Sequence, residues 1–254
     1  MSLNKIESIK KLKKKGMYEI TINGDEYSVT EDLIVKYTLI KGKELTDTEL
    51  SIVKSEIENE NLILKAYNYI SYQFRSEYEV VKFLQDLKAD DLQIEEIINK
   101  LKSINMIDDN YLSSSILNYC MAQLKGPKSY KNKLYERKIN IIHEYSEEAQ
   151  IEVLRKSIEK NKDKNSKLPA MKQKSLLTQK LLRDGFDEKY IYKIIGEIAF
   201  DDETEEQLER LQREFDKLEI KYSKYSEYEK KNKIINNLMS KGYTYKQIKK
   251  FINK

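Results

Sequence analysis

Residues Gln123 to Ile139 read QLKGPKSYKNKLYERKI, and the pair Gly126-Pro127 inside them decides how the chain is to be divided. Gly relaxes the backbone, while Pro lacks a donor and pre-sets the first turn of whatever follows, so one helix is expected to stop at Lys125 and another to start at Pro127. In that second helix Tyr130 and Leu134, four apart, supply the buried stripe. Lys128, Lys131, Lys133, Arg137 and Lys138 leave it basic, with Glu136 as the one acid.

Outward from this helix the same spacing recurs. Val80, Leu84, Ala89, Ile94 and Ile98 are separated by 4, 5, 5 and 4 residues; so are Leu177, Leu181, Phe186, Ile191 and Ile195, and so are Ile234, Leu238, Tyr243, Ile248 and Ile252. Gly185 and Gly242 stand immediately before the aromatic in two of these copies, where a left-handed cap between two helices is expected. Tyr130, Leu134 and Ile139 begin a further copy, but its next positions fall on Glu144 and Glu148, so its second helix should be shifted or irregular. The copies start at 80, 130, 177 and 234, intervals of 50, 47 and 57 residues, enough for about three short helices each.

Further amphipathic stretches fill the intervals. One starts at Asp108-Asp109 and runs through Leu112, Ile116 and Tyr119; another starts at Ser146 and runs through Ile151, Leu154 and Ile158. Thr204 with Gln207 reads as a capping box ahead of Leu208, Leu211, Phe215 and Leu218, and Thr46 with Glu49 as another ahead of a helix through Leu50, Val53, Ile57, Leu64, Tyr67, Ile70 and Phe74. The polar, Pro-ended stretch Asn161–Pro169, NKDKNSKLP, reads as a loop or hinge. Before residue 46 the pattern changes: Ile20 and Ile22 alternate with polar residues, Asn23-Gly24 favours a type I′ turn, and Tyr27 and Val29 resume the alternation. A short helical stretch follows from Glu31-Asp32 and closes at Lys41-Gly42-Lys43. A lone hairpin is marginal in water, so this one must lean on something.

The fold expected is mostly α: an elongated tandem array of three-helix repeat units preceded by a small N-terminal β-hairpin module. Its divisions are 1–45 for the module and 46–120, 121–165, 166–207 and 208–254 for four helical units.

Composition limits the function. Among 254 residues, 47 Lys and Arg face 43 Asp and Glu, so the net charge of +4 is mild and its distribution matters more than its sum. The single cysteine, Cys120, excludes an internal disulfide and a thiolate metal cage. No window approaches the roughly 20 apolar residues of a membrane span, and the basic start lacks the apolar region of a secretory signal, so a cytoplasmic protein is expected. His143 is the one histidine and has no nucleophile motif beside it; there is no Gly-rich phosphate loop and no histidine pair at metal spacing. The doublets Asp90-Asp91, Asp108-Asp109 and Asp201-Asp202 each lie at an expected helix start and read as caps rather than Mg²⁺ ligands. No enzyme, metal or cofactor is expected.

Binding is where the charge points. Basic blocks occur at Lys10, Lys11, Lys13, Lys14 and Lys15; from Lys125 to Lys138; from Arg155 to Arg183, including Lys156, Lys172 and Lys174; and in the last unit with Lys230, Lys231, Lys233 and Lys241. An acidic run, Asp201 to Glu219, lies between the last two. Lys125, Lys128, Lys131, Lys133, Arg137, Lys138, Arg155, Lys156, Lys172, Lys174, Lys230 and Lys231 are the candidate contacts to nucleic-acid phosphates, and the acidic run could present a second edge to a basic protein partner. Tyr222, Tyr225 and Tyr228 recur every third residue beside lysines, a mixture compatible with base stacking; their spacing makes a packing stripe along one helical face the expectation.

RSEYEVVKFL at 75–84, INMIDDNYLSSSIL at 104–117, LKGPKSYKNKLYERKI at 124–139 and LLRDGFDEKYIYKII at 181–195 resemble, in that order, the RecX family. The hairpin followed by KGKELTDTEL at 41–50 is similar to the amino-terminal extension of some members. The resemblance implies a non-enzymatic regulator that binds the RecA filament on single-stranded DNA and damps strand exchange, ATP hydrolysis and co-protease activity in DNA repair and the SOS response, acting as a monomer. Where the family favours glycine between the first two helices of a unit, this chain has Lys88 and Lys138. A non-glycine residue in the left-handed region costs about 1–2 kcal/mol, so those two turns are expected to be built differently. A stand-alone nucleic-acid-binding protein and a helical-repeat interaction scaffold are the alternatives on the residues alone.

Overall fold

A computed structural model describes residues 4–13, 16–200 and 204–252. Lys14, Lys15 and the doublet Asp201-Asp202 lie outside the described residues. The chain forms two compact units, Met1–Leu112 with Arg137–Ile139, and Ser113–Glu136 with Asn140–Lys254.

The first unit opens with a sheet. The expected hairpin is present as β2 (Met17–Ile22) and β3 (Asp25–Thr30), joined through Asn23 at φ 52° and Gly24 at φ 84°, the double left-handed geometry of a type I′ turn. It leans on β1 (Asn4–Lys11), which pairs antiparallel with β2 and, on its other edge, with β4 (Glu44–Leu45), giving the order β3-β2-β1-β4. A register shift between Ile6 and Ser8 explains why β1 is not read from alternation, since its apolar residues Ile6 and Ile9 stand three apart. Part of the first basic block is therefore a strand, with Lys10 3.8 Å from Glu19.

Helix α1 (Glu31–Lys36) starts at Thr30, whose hydroxyl accepts from the Leu33 amide. Helix α2 (Asp47–Ser71) starts in the expected capping box, Thr46 accepting from the Glu49 amide and the Glu49 carboxylate accepting from the Thr46 amide. At 25 residues it spans about 37 Å. Its first half packs Val53 and Ile57 on Ile6, Ile20, Ile22, Val29 and Leu33. Its second half gives Ala66 and Ile70 to a core with Val80 and Leu84 of α3 (Glu77–Asp86) and Ile94, Ile97, Ile98 and Leu101 of α4 (Asp91–Ser103). Phe74 falls beyond the end of α2 and is exposed.

The remaining helices are α5 (Asp109–Ala122), α6 (Pro127–Glu136), α7 (Glu147–Asn161), α8 (Ala170–Arg183), α9 (Glu188–Glu197), α10 (Glu205–Lys221), α11 (Glu227–Ser240) and α12 (Tyr245–Ile252). Val153, Leu154, Ile158, Leu177, Leu181, Phe186, Ile191 and Ile195 join α7–α9 in one core; Leu211, Phe215, Leu218, Ile234, Leu238, Tyr243 and Ile248 join α10–α12 in another. The spaced apolar series thus lies inside successive cores. Asp90 and Asp108 act as helix caps, accepting from the Gln93 and Tyr111 amides.

Four expectations are corrected. Lys88 at φ 67° and Lys138 at φ 55° adopt the same left-handed turn as Gly185 and Gly242. In the first copy the turn is closed by a bond from the Ala89 amide to the Leu84 carbonyl, matching Phe186 to Leu181 and Tyr243 to Leu238, and this pairing of an otherwise orphaned carbonyl opposes the strain. Helix α5 ends at Ala122 rather than Lys125, because Leu124 is itself left-handed and the Lys125 amide closes back on the Cys120 carbonyl. The stretch Asn161–Pro169 contains a 3-10 turn, Lys162–Asn165, and is held rather than free: the Gln173 and Gln207 amides both donate to the Ser166 and Leu168 carbonyls. Gln207 is thereby drawn away from its expected box, and Thr204 caps α10 by accepting from the Gln207 amide N–H.

The copy interrupted by Glu144 and Glu148 lacks its second helix, and its own first residue shows why. Where the other copies carry Val80, Leu177 and Ile234, this one carries Tyr130, and its hydroxyl organises the extended residues that follow. The His143 amide donates to it at 3.0 Å, it meets the Ser113 hydroxyl at 2.7 Å, and Ser113 donates to the Ile141 carbonyl at 2.6 Å. Tyr130 and Ser113 are both fully buried. A backbone held in this relay is not available to a helix.

Candidate functional site

The amino end of α6 is built on the turn between α8 and α9. The Gly126 amide donates to the Asp184 carbonyl at 2.7 Å, the Lys128 amide to the Gly185 carbonyl at 3.0 Å, and the Ser129 hydroxyl to the Asp184 carbonyl at 2.8 Å. The two amides are ones that the start of a helix leaves without an intrahelical partner, and the hydroxyl adds a third bond. The approach is close enough that a Cβ on Gly126 would overlap the Gly185 carbonyl, and one on Gly185 would stand 2.5 Å from the Ser129 nitrogen. The Gly-Pro pair serves this contact as well as marking the helix start.

Charge closes the same junction. Lys125 and Lys180 each donate to one oxygen of the Asp184 carboxylate at 2.6 Å, and that side chain is only 8% exposed. Burial pushes the Asp184 carboxyl up, but the bonds from Lys125 and Lys180 outweigh it and hold it below the ordinary carboxylate range. Lys125 is therefore committed to the fold. Its carbonyl accepts from the Tyr145 hydroxyl, whose pKa burial pushes up to about 12.

Beyond that junction α6 presents an outward stripe. Lys128 and Lys131 are exposed, as is Tyr135 at 73%, and their spacing of three and four places them on one face opposite Tyr130 and Leu134. Lys128 stands 3.8 Å from Asp187, an open pair of small worth that a phosphate can replace. Lys133 turns to the Tyr119 ring, 5.5 Å from its centroid. Arg137 and Lys138 belong to the first unit, where Arg137 donates to the Phe74 carbonyl at 3.3 Å, accepts at its own carbonyl from the Ser76 hydroxyl at 2.8 Å, and Lys138 forms the left-handed turn.

The other candidates divide in the same way. On α7, Arg155 reaches Glu197 at 3.2 Å and Lys156 reaches Glu152 at 2.5 Å, both pairs well exposed. On α8, Lys172 packs its backbone and Cβ against the Gly242 turn, and Lys174 lies 5.5 Å from the Phe200 ring centroid. On α11, Lys230 is drawn in between Glu219 and Glu227, 18% exposed, while its neighbour Lys231 is exposed. Of the twelve nominated cations, Lys125 and Lys230 serve internal pairs, whereas Lys128, Lys131 and Lys231 keep their charge at the surface.

The tyrosine series does not form a packing stripe. Tyr222 caps the end of α10, Tyr225 stands in the turn, and Tyr228 begins α11, so the three share no helical face. Tyr225 is 46% and Tyr228 78% exposed. Tyr135, exposed beside Lys131, went unnoticed in the sequence because Tyr130 and Leu134 drew the stripe to the opposite face.

Comparison with known proteins agrees with these helical units. The family model described as "RecX, third three-helix domain" matches residues 205–252, the span of α10–α12. A protein named regulatory protein RecX from Oceanobacillus iheyensis is 32% identical over 270 residues, covering 99% of this chain and 98% of that one. Another of the same name from Streptococcus agalactiae is 37% identical over 261 residues, covering 98% of this chain and 97% of its own. Among solved structures, the crystal structure of a regulatory protein RecX superposes with a TM-score of 0.58 at 25% identity, over 77% of this chain and all of that one. That of RecX from Lactobacillus salivarius gives 0.50 at 32% identity, over 55% of this chain and 95% of that one. The chain belongs to the RecX family, whose curated members bear the name of regulatory proteins.

Proposed function

We propose that this protein is a non-enzymatic negative regulator of a RecA-type recombinase, binding the recombinase filament on single-stranded DNA and lowering its strand exchange, ATP hydrolysis and co-protease activity. The single observation that carries the reading is kinship with regulatory RecX proteins along essentially the whole chain, including 98% of the length of one of them. The setting would be the cytoplasm, in homologous recombination and the SOS response, with the protein acting as a monomer.

The mechanism is multivalent. Successive helical units each contribute a modest contact to successive recombinase protomers, and many weak contacts on one chain add through effective concentration. The exposed stripe of α6 and Lys231 of α11 meet DNA phosphates, and the weak surface pairs of Lys128, Arg155 and Lys156 exchange a carboxylate for a phosphate at little loss.

The test is co-sedimentation of the protein with recombinase filaments across a salt series, comparing the native chain with a Lys128→Glu, Lys131→Glu double variant. Weaker association and a shallower salt dependence are expected, because two phosphate contacts are removed. Unchanged association would take α6 off the contact surface.

A further inference from the structure

The turn between α10 and α11 carries an aromatic and basic cluster in which Tyr222 packs partly against the helical core while Tyr225 and Tyr228 stay exposed. Tyr222 and Tyr225 meet edge to face with ring centroids 5.9 Å apart, and Tyr228, in the first turn of the next helix, is 78% exposed. Four lysines surround them. Lys221 lies 5.4 Å from the Tyr222 centroid and Lys233 4.5 Å from that of Tyr225, while Lys224 and Lys231 are exposed.

The acids nearby are already engaged. The Glu229 carboxylate accepts from the Ser226 amide and hydroxyl in a capping box, and Glu219 and Glu227 both face Lys230. Lys230 offsets one of these carboxylates and the capping bonds leave Glu229 its charge, so the four lysines named above outnumber the two remaining acids and keep the surface basic.

From this arrangement we propose a stacking site for single-stranded DNA at the α10–α11 turn, in which bases lie on Tyr225 and Tyr228 and Lys221, Lys224, Lys231 and Lys233 meet the phosphates. An exposed cation over a ring is a weak contact, and a base on the same ring is a stronger one. A base can therefore displace Lys233 from Tyr225, and the released ammonium is then placed to take a phosphate. Duplex DNA has no base faces to offer, so the site discriminates single from double strands. The choice of DNA over RNA rests on the function proposed above; the stacking geometry does not.

The experiment is fluorescence anisotropy with a labelled oligo(dT) strand and, separately, a duplex of the same length, in the absence of any recombinase. A Tyr225→Ala, Tyr228→Ala double variant should bind the single strand about thirtyfold or more weakly, at the low end of the loss expected for two stacked bases, with duplex affinity unchanged. Tyr225→Phe with Tyr228→Phe keeps both rings and should bind like the native chain. Circular dichroism should give all three proteins the same spectrum, since both side chains are substantially exposed. An equal loss for single strand and duplex, no loss, or no binding of oligo(dT) by the native chain would each overturn the site. Because no filament is present, each of these results leaves regulation of the recombinase to be judged by its own assay.

Discussion

Replacing Asp184 by Asn keeps the shape of the junction between α6 and the α8–α9 turn while removing the charge that holds it. Two bonds of 2.6 Å, from Lys125 and Lys180, lose their ionic character. Bonds to a charged group contribute about 1.5–3 kcal/mol each, but these lysines are 40% and 36% exposed and recover water when released, so about 1 kcal/mol apiece is the appropriate scale. The expected loss is about 2 kcal/mol, a fall in thermal midpoint of roughly 4–8 °C for a chain of this size. The pH dependence follows from the depressed carboxyl. Asp184 contributes stability that is fully present above the unfolded value of about 3.9 and is lost as pH falls through the lower folded value. Urea unfolding followed by circular dichroism at pH 7 and at steps below pH 4 should show the two proteins separated at neutral pH and converging in acid. Equal stability at pH 7, or a gap that persists undiminished in acid, would refute the reasoning.

Two other substitutions probe the backbone. Gly126→Ala places a methyl group on the Gly185 carbonyl, which cannot rotate away, and should destabilise the fold by about 2 kcal/mol or more by the same unfolding measurement. Tyr130→Phe deletes the hydroxyl shared by Ser113 and the His143 amide and should lose about 1–2 kcal/mol; Ser113→Ala made in the same background should then cost less than it does in the native chain.

How much of this was legible depends on which residue carried the information. The 4-5-5-4 apolar series marks the middle and last helices of successive cores, because helix period and a left-handed turn leave few other ways to place those residues inside. Thr46, Ser146 and Asp90 declare their helix starts through local bonds of three residues' reach. Strand β1 stayed hidden because a bulge breaks its alternation, and Lys88 was misjudged because the bond that offsets its strain comes from the turn rather than from the residue type. The candidate cations were legible as charges but not as free charges. Whether Lys125 faces solvent or Asp184 depends on a partner 59 residues away, and no local pattern encodes it. The tyrosines misled in the opposite direction: spacing by three implies one helical face only while a helix continues, and here it ends at Lys221.

The most direct test of regulation is ATP hydrolysis by the cognate RecA on single-stranded DNA, titrated with this protein well below one copy per recombinase protomer. The account predicts inhibition at those ratios, beyond what a protein that merely coats the DNA produces, because one chain engages several protomers at once. Undiminished hydrolysis at every ratio, from a protein that still binds bare single-stranded DNA, would contradict it.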